Sequence, residues 1–253
     1  MTAINELDVK GLVVLDMPPK LKQMMLLNVT EKLSMGLKVN AKHDLQGLVK
    51  DVGQLSDEAF RKLIPKTRRF IDGEAVAMAN KFVSSIGNTI FQRRAHVSLI
   101  SNRELRENIS LSPTTLDFFW RLVRRGKNDV GQPHSDAQFW DLLKGTDAEP
   151  RFSHPYRHRW KLWVPLANCD GQNALRLLPS SHQMNVPYET RLTEHGLKPT
   201  IASEWVQEHQ KDFICPIVKF DSQCILFHDR IVHFGPLNET TSARISAECT
   251  ILI

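Results

Sequence analysis

QCILFHDRIVHFGPLNETTSARISAECTILI, residues 223–253, consists of two apolar runs on either side of a polar segment. The runs are rich in β-branched and aromatic residues, which favour strands. The polar segment contains Gly, Pro and Asn, which favour turns. We therefore predict two β-strands at this end of the sequence, joined through PLNETTS as a hairpin.

Four earlier stretches show the same pattern of short apolar runs broken by Gly, Pro, Asn or Asp. They are FFWRLVRR (118–125), RWKLWVPL (159–166), ALRLLP (174–179) and DFICPIVKF (212–220). Many short strands separated by turn signals are typical of a β-sandwich or barrel. The pattern therefore predicts a mainly β core, over about residues 91–253.

Residues 1–90 are predicted to be mainly helical. Residues 20–37 place apolar side chains at spacings of three and four, which is the period of an amphipathic helix. Ser56 precedes acidic residues in an N-cap pattern, and a later helix is expected to stop at Gly87. A longer polar segment at 187–211 contains SEWVQEHQ, a predicted helical turn, and its place between strands is typical of a substrate-covering lid.

With 253 residues, 42% of them hydrophobic, the sequence fits one large domain as well as two small ones, and we take residues 1–253 as a single domain. Lys and Arg outnumber Asp and Glu by 33 to 28 without long runs of one charge. This balance permits an anionic substrate, but the sequence lacks the dense basic and aromatic stripe of a nucleic-acid-binding protein. We therefore expect no nucleic-acid partner.

Cellular context is predicted from apolar runs and cysteines. No stretch approaches the roughly 18–20 apolar residues that a membrane span needs, and the N-terminus has no apolar run of signal-peptide length. The four cysteines show no paired CxxC spacing and are expected to be buried free thiols, as in a reducing compartment. The expected location is the cytoplasm, without a membrane partner.

GQPHSDAQFW, residues 131–140, places His134 and Asp136 two residues apart at a predicted strand end. Residues i and i+2 of a strand project to the same side, so both side chains can reach one metal ion. The alternative is a turn aspartate beside a solvent-facing histidine. A lone pair of this kind does not decide between the two.

A third metal ligand would have to come from a distant strand, and His228 and His233 are available. They lie five residues apart, so on a regular strand only one of them can face the site. Arg244 lies eleven residues after His233, with Ser246 two further on. In the predicted hairpin both would lie beside the His233 strand, where an arginine fork and a hydroxyl suit a carboxylate. This arrangement favours His233.

These residues resemble those of the iron(II)/2-oxoglutarate-dependent dioxygenases, and specifically of the phytanoyl-CoA dioxygenase-like (PhyH-like) family. The segment KLWVPLANCDGQNALRLLPSSHQ (161–183) is similar to the family's signature strand, acidic-Gly turn and following loop. That loop is usually written PGSH, and Ser180 here stands in place of its Gly. The resemblance covers about residues 116–253.

The resemblance implies a double-stranded β-helix, a jelly-roll or cupin-like core, with the N-terminal helices packed on the outer face of the major sheet. It implies Fe(II) bound by His134, Asp136 and His233. It also implies that Arg244 and Ser246 bind 2-oxoglutarate, with O2 as the other cosubstrate. Decarboxylation of 2-oxoglutarate to succinate would then be coupled to hydroxylation or a related C–H oxidation. Halogenation is not expected, because related halogenases have a small residue at the position of the carboxylate.

The expected substrate is a small molecule bearing a carboxylate or phosphate, in a biosynthetic or secondary-metabolite pathway. Three residues are proposed as substrate contacts: Trp140, Arg121 and His182. Each has an alternative role, since Trp140 could pack in the core, Arg121 could lie on a solvated face, and His182 could brace its loop by hydrogen bonding.

Two other functions fit parts of the pattern. The same ligands could hold zinc or manganese in a cupin-like isomerase or hydrolase, although such an enzyme would not need Arg244 and Ser246. A non-catalytic binding module on the same fold is the third possibility, although such a module would be expected to have lost a metal ligand. Neither alternative releases succinate.

Overall fold

The structure, a computed structural model, describes residues 3–39, 44–67, 73–91, 98–100, 119–127, 129, 131–142, 159–193, 196–217 and 219–252. Within these ranges the first helices are α1 (Ala3–Lys10), α2 (Pro19–Leu37), α3 (Leu45–Gly53), α4 (Asp57–Thr67) and α5 (Gly73–Ile90). Two short helices follow, α6 (Asp136–Asp141) and α7 (Ser203–Glu208), with 3₁₀ turns at Gly171–Asn173, Ser181–Gln183 and Gln210–Asp212. None of the described helices is long and apolar enough to cross a membrane.

The described strands are β1 (Leu12–Asp16), β2 (Ser98–Ile100), β3 (Phe119–Val123), β4 (Arg159–Ala167), β5 (Arg176–Leu177), β6 (Tyr188–Thr193), β7 (Gly196–Ile201), β8 (Gln223–His228), β9 (His233–Phe234) and β10 (Arg244–Leu252). The main sheet is antiparallel and has the order β1-β8-β4-β10-β2, with β3 also pairing with β10. A minor sheet consists of β5 and β9, and β6 and β7 form a hairpin.

The main sheet is buried on both faces. Its outer face places Leu162, Leu226 and Ile245 in one hydrophobic cluster with the helices. The helical members of that cluster include Leu21, Met25, Val29, Leu33, Leu48, Val49, Val52, Ala79 and Val83. This packing explains the helical period of the N-terminal sequence, because each helix contributes one apolar face.

The inner face of the main sheet packs toward the minor sheet. Trp163 of β4 and Phe227 of β8 lie in one buried cluster with Leu177 of β5 and Ile231. Two antiparallel sheets therefore enclose a core, and the N-terminal helices cover the outer face of the larger sheet. The predicted fold class, a double-stranded β-helix with flanking helices, is confirmed.

Two details of the N-terminal part differ from the prediction. Residues 12–16 form the edge strand β1, paired with β8 from Leu12↔Phe227 to Asp16↔Gln223. The prediction missed it because an apolar run of four residues, 12–15, cannot be assigned to helix or strand by periodicity. Helix α5 continues through Gly87 to Ile90, a buried residue. Burying that side chain stabilises by about 1.5–3 kcal/mol, more than the roughly 1 kcal/mol cost of an internal glycine. The N-cap at Ser56 is confirmed, since its Oγ accepts from the Ala59 N–H at 3.2 Å.

The predicted C-terminal hairpin is wrong. Strand β9 pairs with β5, whereas β10 pairs with β2, β3 and β4, so the chain crosses from the minor to the main sheet between them. Asn238 holds this crossing in place: it is fully buried and its Nδ2 donates to the Val123 and Ser242 carbonyls at 2.9 and 2.8 Å. The bond to Val123, 115 residues earlier in the chain, ties this segment to β3, a tertiary contact that a simple two-stranded hairpin would not make.

The segment at 187–211 contains the β6–β7 hairpin followed by α7, so the helical turn predicted there is present and the hairpin was not foreseen. Within 212–217 the structure has a single bridge, Ile214 to Leu177, in place of the predicted strand. The role of 187–211 as a lid, and one domain over residues 1–253, stay predictions. The four cysteines are free; Cys169, Cys224 and Cys249 are buried as expected, whereas Cys215 is only partly buried, which differs from the prediction.

Candidate metal centre

His134, Asp136 and His233 converge at one place between the two sheets. Each offers one ligand atom, and these three atoms lie within 4.8 Å of one another. His233 is buried, while the other two are partly buried. The structure therefore brings together the three residues predicted as metal ligands.

The backbone geometry that brings the ligands together differs from the strand end predicted from the sequence. His134 and His233 form an isolated antiparallel bridge, in which their N–H and carbonyl groups bond reciprocally at 3.1 and 2.9 Å. Asp136 is the first residue of α6, and the Ser135 N–H donates to Gln138 Oε1 at 3.2 Å. The chain thus turns from a bridge into a helix, so the expected strand end carrying both ligands is wrong.

Both histidine rings have one nitrogen held by the backbone. Nδ1 of His134 lies 2.7 Å from the Gln132 carbonyl, and Nδ1 of His233 lies 3.0 Å from the Ile231 carbonyl. Since a carbonyl only accepts, we assign the proton of each neutral ring to Nδ1. Nε2 of each ring is then free to bind a metal, and Nε2 of His134 lies 4.0 Å from Asp136 Oδ1.

The charge states of the ligands suit a divalent metal ion. Burial, followed by the nearby His233, lowers the pKa of His134 to about 4, against the opposing effect of Asp136. Burial would raise the pKa of Asp136, but Lys161 and then the two histidines outweigh it, so this pKa lies well below its usual value. At neutral pH the centre therefore presents a neutral imidazole on His134 and an anionic carboxylate. Two imidazoles and one carboxylate are the donor set of non-haem iron(II) oxygenases.

Arg244 and Ser246 lie two residues apart on β10, which places both on one face of the sheet. Arg244 is 4% exposed, and its Nη1 donates to the Asn173 and Pro236 carbonyls at 2.8 and 3.2 Å. Burial lowers the pKa of Arg244, and among the described residues the hydrogen bonds of its guanidinium go to these two backbone carbonyls and to no acidic side chain. Ser246 is buried as well, with 2% of its surface exposed.

Arg121 and His182 have different surroundings. Arg121 of β3 lies opposite Ser246, contacts Glu248, and keeps 47% of its side chain exposed. His182 lies 3.3 Å from the Asp8 carbonyl through Nε2 and next to Gly11, at the N-terminal segment. Its position fits the bracing alternative. The side chain of Trp140 lies outside the described residues.

The loop Pro179–His182 is fixed by hydrogen bonds to the N-terminal segment and to the residue before His233. Ser180 has a positive φ of 63°, the left-handed region in which the usual Gly would carry no strain. Its Oγ and N–H donate to the Val9 and Lys10 carbonyls, both at 2.8 Å. Ser181 Oγ accepts from the Val232 N–H at 2.8 Å, beside His233.

Two charged residues of the inner face were not foreseen. Lys161 of β4 lies 3.0 Å from Asp136 Oδ2, and Glu248 of β10 pairs with Arg121 at 2.6 Å. Both interrupt strands that are otherwise largely apolar, RWKLWVPL and RISAECTIL. A charge inside a strand that is buried on both faces was the available signal.

Comparison with known families identifies the chain. A family model described as phytanoyl-CoA dioxygenase (PhyH) matches residues 44–246. The chain belongs to this family. It is therefore an oxygenase of the iron(II)/2-oxoglutarate-dependent class. The match begins within the N-terminal helices, earlier than the resemblance suggested.

Solved structures of EctD from S. alaskensis share the fold. The match to the apoform covers 100% of this chain and 77% of the EctD chain, with 16% sequence identity and a TM-score of 0.58. The form with 2-oxoglutarate and 5-hydroxyectoine has 16% identity, a TM-score of 0.57 and coverage of 100% and 76%. The form with bound Fe has 15% identity, a TM-score of 0.55 and the same coverage. No curated protein sequence matches the chain significantly.

Proposed function

We propose that this oxygenase hydroxylates a small, anionic molecule, with Fe(II) bound by His134, Asp136 and His233. The convergence of their three ligand atoms within 4.8 Å carries the proposal. The ring tautomers and the ionised carboxylate supply the donor atoms that Fe(II) needs. Bound iron would supply the activation of O2, coupled to decarboxylation of 2-oxoglutarate to succinate.

Arg244 and Ser246 are proposed to bind the distal carboxylate of 2-oxoglutarate. A buried guanidinium without an acidic partner among the described residues is costly in free energy, and a carboxylate from the cosubstrate would offset that cost. Because Nη1 is held by two backbone carbonyls, the rest of the fork is fixed in orientation before the cosubstrate binds.

The charge of the inner face supports an anionic substrate. Once Asp136 binds the metal and Arg244 binds 2-oxoglutarate, the charged side chains that remain among these residues are Arg121, Lys161 and Glu248, with one net positive charge. Arg121 keeps nearly half of its side chain exposed, so it can meet a carboxylate or phosphate. Trp140 and His182 as substrate contacts, a biosynthetic pathway and a cytoplasmic location are further parts of this proposal.

An anaerobic ultraviolet-visible titration with Fe(II) and 2-oxoglutarate tests the assignment. We expect the weak visible charge-transfer band of a chelated keto acid, and its loss in His233→Ala. His209→Ala is the matched control, because His209 stacks on Trp205 with ring centroids 4.1 Å apart and lies outside the ligand set. Absence of the band in protein that binds iron would overturn the proposal, and favour the cupin-like enzyme or the binding module.

A further inference from the structure

Lys161 is a lysine buried in the inner face of the main sheet. It lies on β4, opposite Thr250 of β10 and Phe227 of β8, and 5% of its surface is exposed. Lysine is almost never buried to this extent without a charged partner. The identity of that partner therefore indicates what the side chain does.

The partner is one oxygen of Asp136. Lys161 Nζ lies 3.0 Å from Asp136 Oδ2, and its contact with Thr250 Oγ1 is longer, at 3.5 Å. The other carboxylate oxygen, Oδ1, lies 4.0 Å from Nε2 of His134. The two oxygens thus have separate surroundings, with the ammonium at one and the histidine at the other.

Glu248 does not compete strongly for this ammonium, although it is the other acid close to Lys161. Nε and Nη2 of Arg121 lie 2.7 and 2.6 Å from Glu248 Oε1. The inner face therefore contains two matched pairs, and Lys161 is directed to Asp136.

Stability alone does not account for a lysine at this position. Replacement of a buried ion pair by well-packed apolar residues is often neutral or stabilising. Phe227 and Trp163, the inner-face neighbours of Lys161 on β8 and β4, are buried and apolar. An apolar residue would pack equally well in these surroundings. The lysine differs from such a residue in its contact with Asp136.

We infer that Lys161 is a positioning residue of the metal centre: its ammonium holds Oδ2 of Asp136, so that the carboxylate offers Oδ1 alone to the metal. The inference rests on the proposed function, because it requires Asp136 to be a ligand. A carboxylate bound through both oxygens would take one more coordination position. The proposed reaction needs three open positions, for the two atoms of the keto acid and for O2.

Anaerobic titration with Co(II) tests this role without turnover. The visible d–d bands of Co(II) report the number and geometry of its ligand atoms. We expect Lys161→Met and Lys161→Gln to shift these bands in position and intensity, because Oδ2 is released to the metal. Lys161→Arg keeps the positive charge and is expected to give the wild-type bands. Lys22→Met is the matched control, since Lys22 is buried on α2 and its electrostatic neighbours are Cys169, Asp221 and Cys224.

The outcomes distinguish failure of the role inferred for Lys161 from failure of the proposed metal ligands. Wild-type Co(II) bands in both Lys161→Met and Lys161→Gln would overturn the positioning role and leave the metal ligands assigned. A Co(II) spectrum that survives unchanged in His134→Ala and His233→Ala would overturn the ligand assignment itself. Circular dichroism checks folding, and if Lys161→Met does not fold, the spectrum of Lys161→Gln decides.

Discussion

Replacing Arg244 by methionine removes the proposed anchor of 2-oxoglutarate while leaving the three metal ligands in place. Nε and Nη2 of this arginine have no hydrogen-bond partner among the described residues, whereas Nη1 is held by two carbonyls. A carboxylate can therefore receive two charge-assisted hydrogen bonds, at about 1.5 kcal/mol or more each. Their loss amounts to about 3 kcal/mol, which corresponds to an increase of about 150-fold in the dissociation constant of 2-oxoglutarate.

The charge-transfer band measures this constant directly in the Arg244→Met protein loaded with Fe(II). Arg176→Met is the matched control, because Arg176 is on the minor sheet and donates to the Gly171 carbonyl at 3.1 Å. The Asn173 and Pro236 carbonyls lose a donor in Arg244→Met, so urea unfolding must confirm that the variant is folded. A folded variant whose constant stays within about threefold of wild type would refute the role of Arg244.

Three further outcomes are expected. Asp136→Ala abolishes succinate formation while the circular dichroism spectrum stays native, because the metal loses its anionic ligand. Near-normal succinate formation would contradict the assignment of Asp136 as a metal ligand. Iodoacetamide labels Cys215 before Cys224, since burial raises the pKa of Cys224 to about 12 and Cys215 is only partly buried; equal rates in mass spectrometry would contradict this. Gly11→Ala lowers the free energy of unfolding by more than about 1–2 kcal/mol, because Gly11 has a φ of +73° and an added Cβ would meet a histidine nitrogen. Gly171 has a φ of +51° but open space around an added Cβ, so urea unfolding should show a smaller loss of unfolding free energy for Gly171→Ala. Equal losses in the two variants would contradict the steric contribution at Gly11.

The sequence predicts the strands of the core better than their partners. The runs at 159–166 and 243–253 correspond to β4 and β10, and alternation correctly places Arg244 and Ser246 on one face. Pairing is decided by contacts far apart in the chain, such as Asn238 with Val123. Local propensity holds no information on such contacts, so the expected hairpin was wrong although its strands were right.

The metal centre was predicted for a partly mistaken reason. The spacing of His134 and Asp136 was attributed to a strand, yet the structure uses a bridge followed by the first turn of α6. Two residues of separation suit either geometry, so the spacing alone could not distinguish them. Lys161 was missed because a lysine in a strand is read as solvent-facing until the second sheet is known to cover that face.

The position of β10 has a consequence for synthesis of the protein. It is the last strand of the described chain, yet it lies in the interior of the main sheet, between β4 on one side and β2 and β3 on the other. Translation delivers it after the other described strands, and domains generally fold as units once their chain is available. Until Arg244–Leu252 leaves the ribosome, β2 and β3 lack the one strand with which they pair in the described structure. A stop codon at residue 244 would spare all three metal ligands and still leave a chain unable to close its sheet, exposing strand edges that favour aggregation.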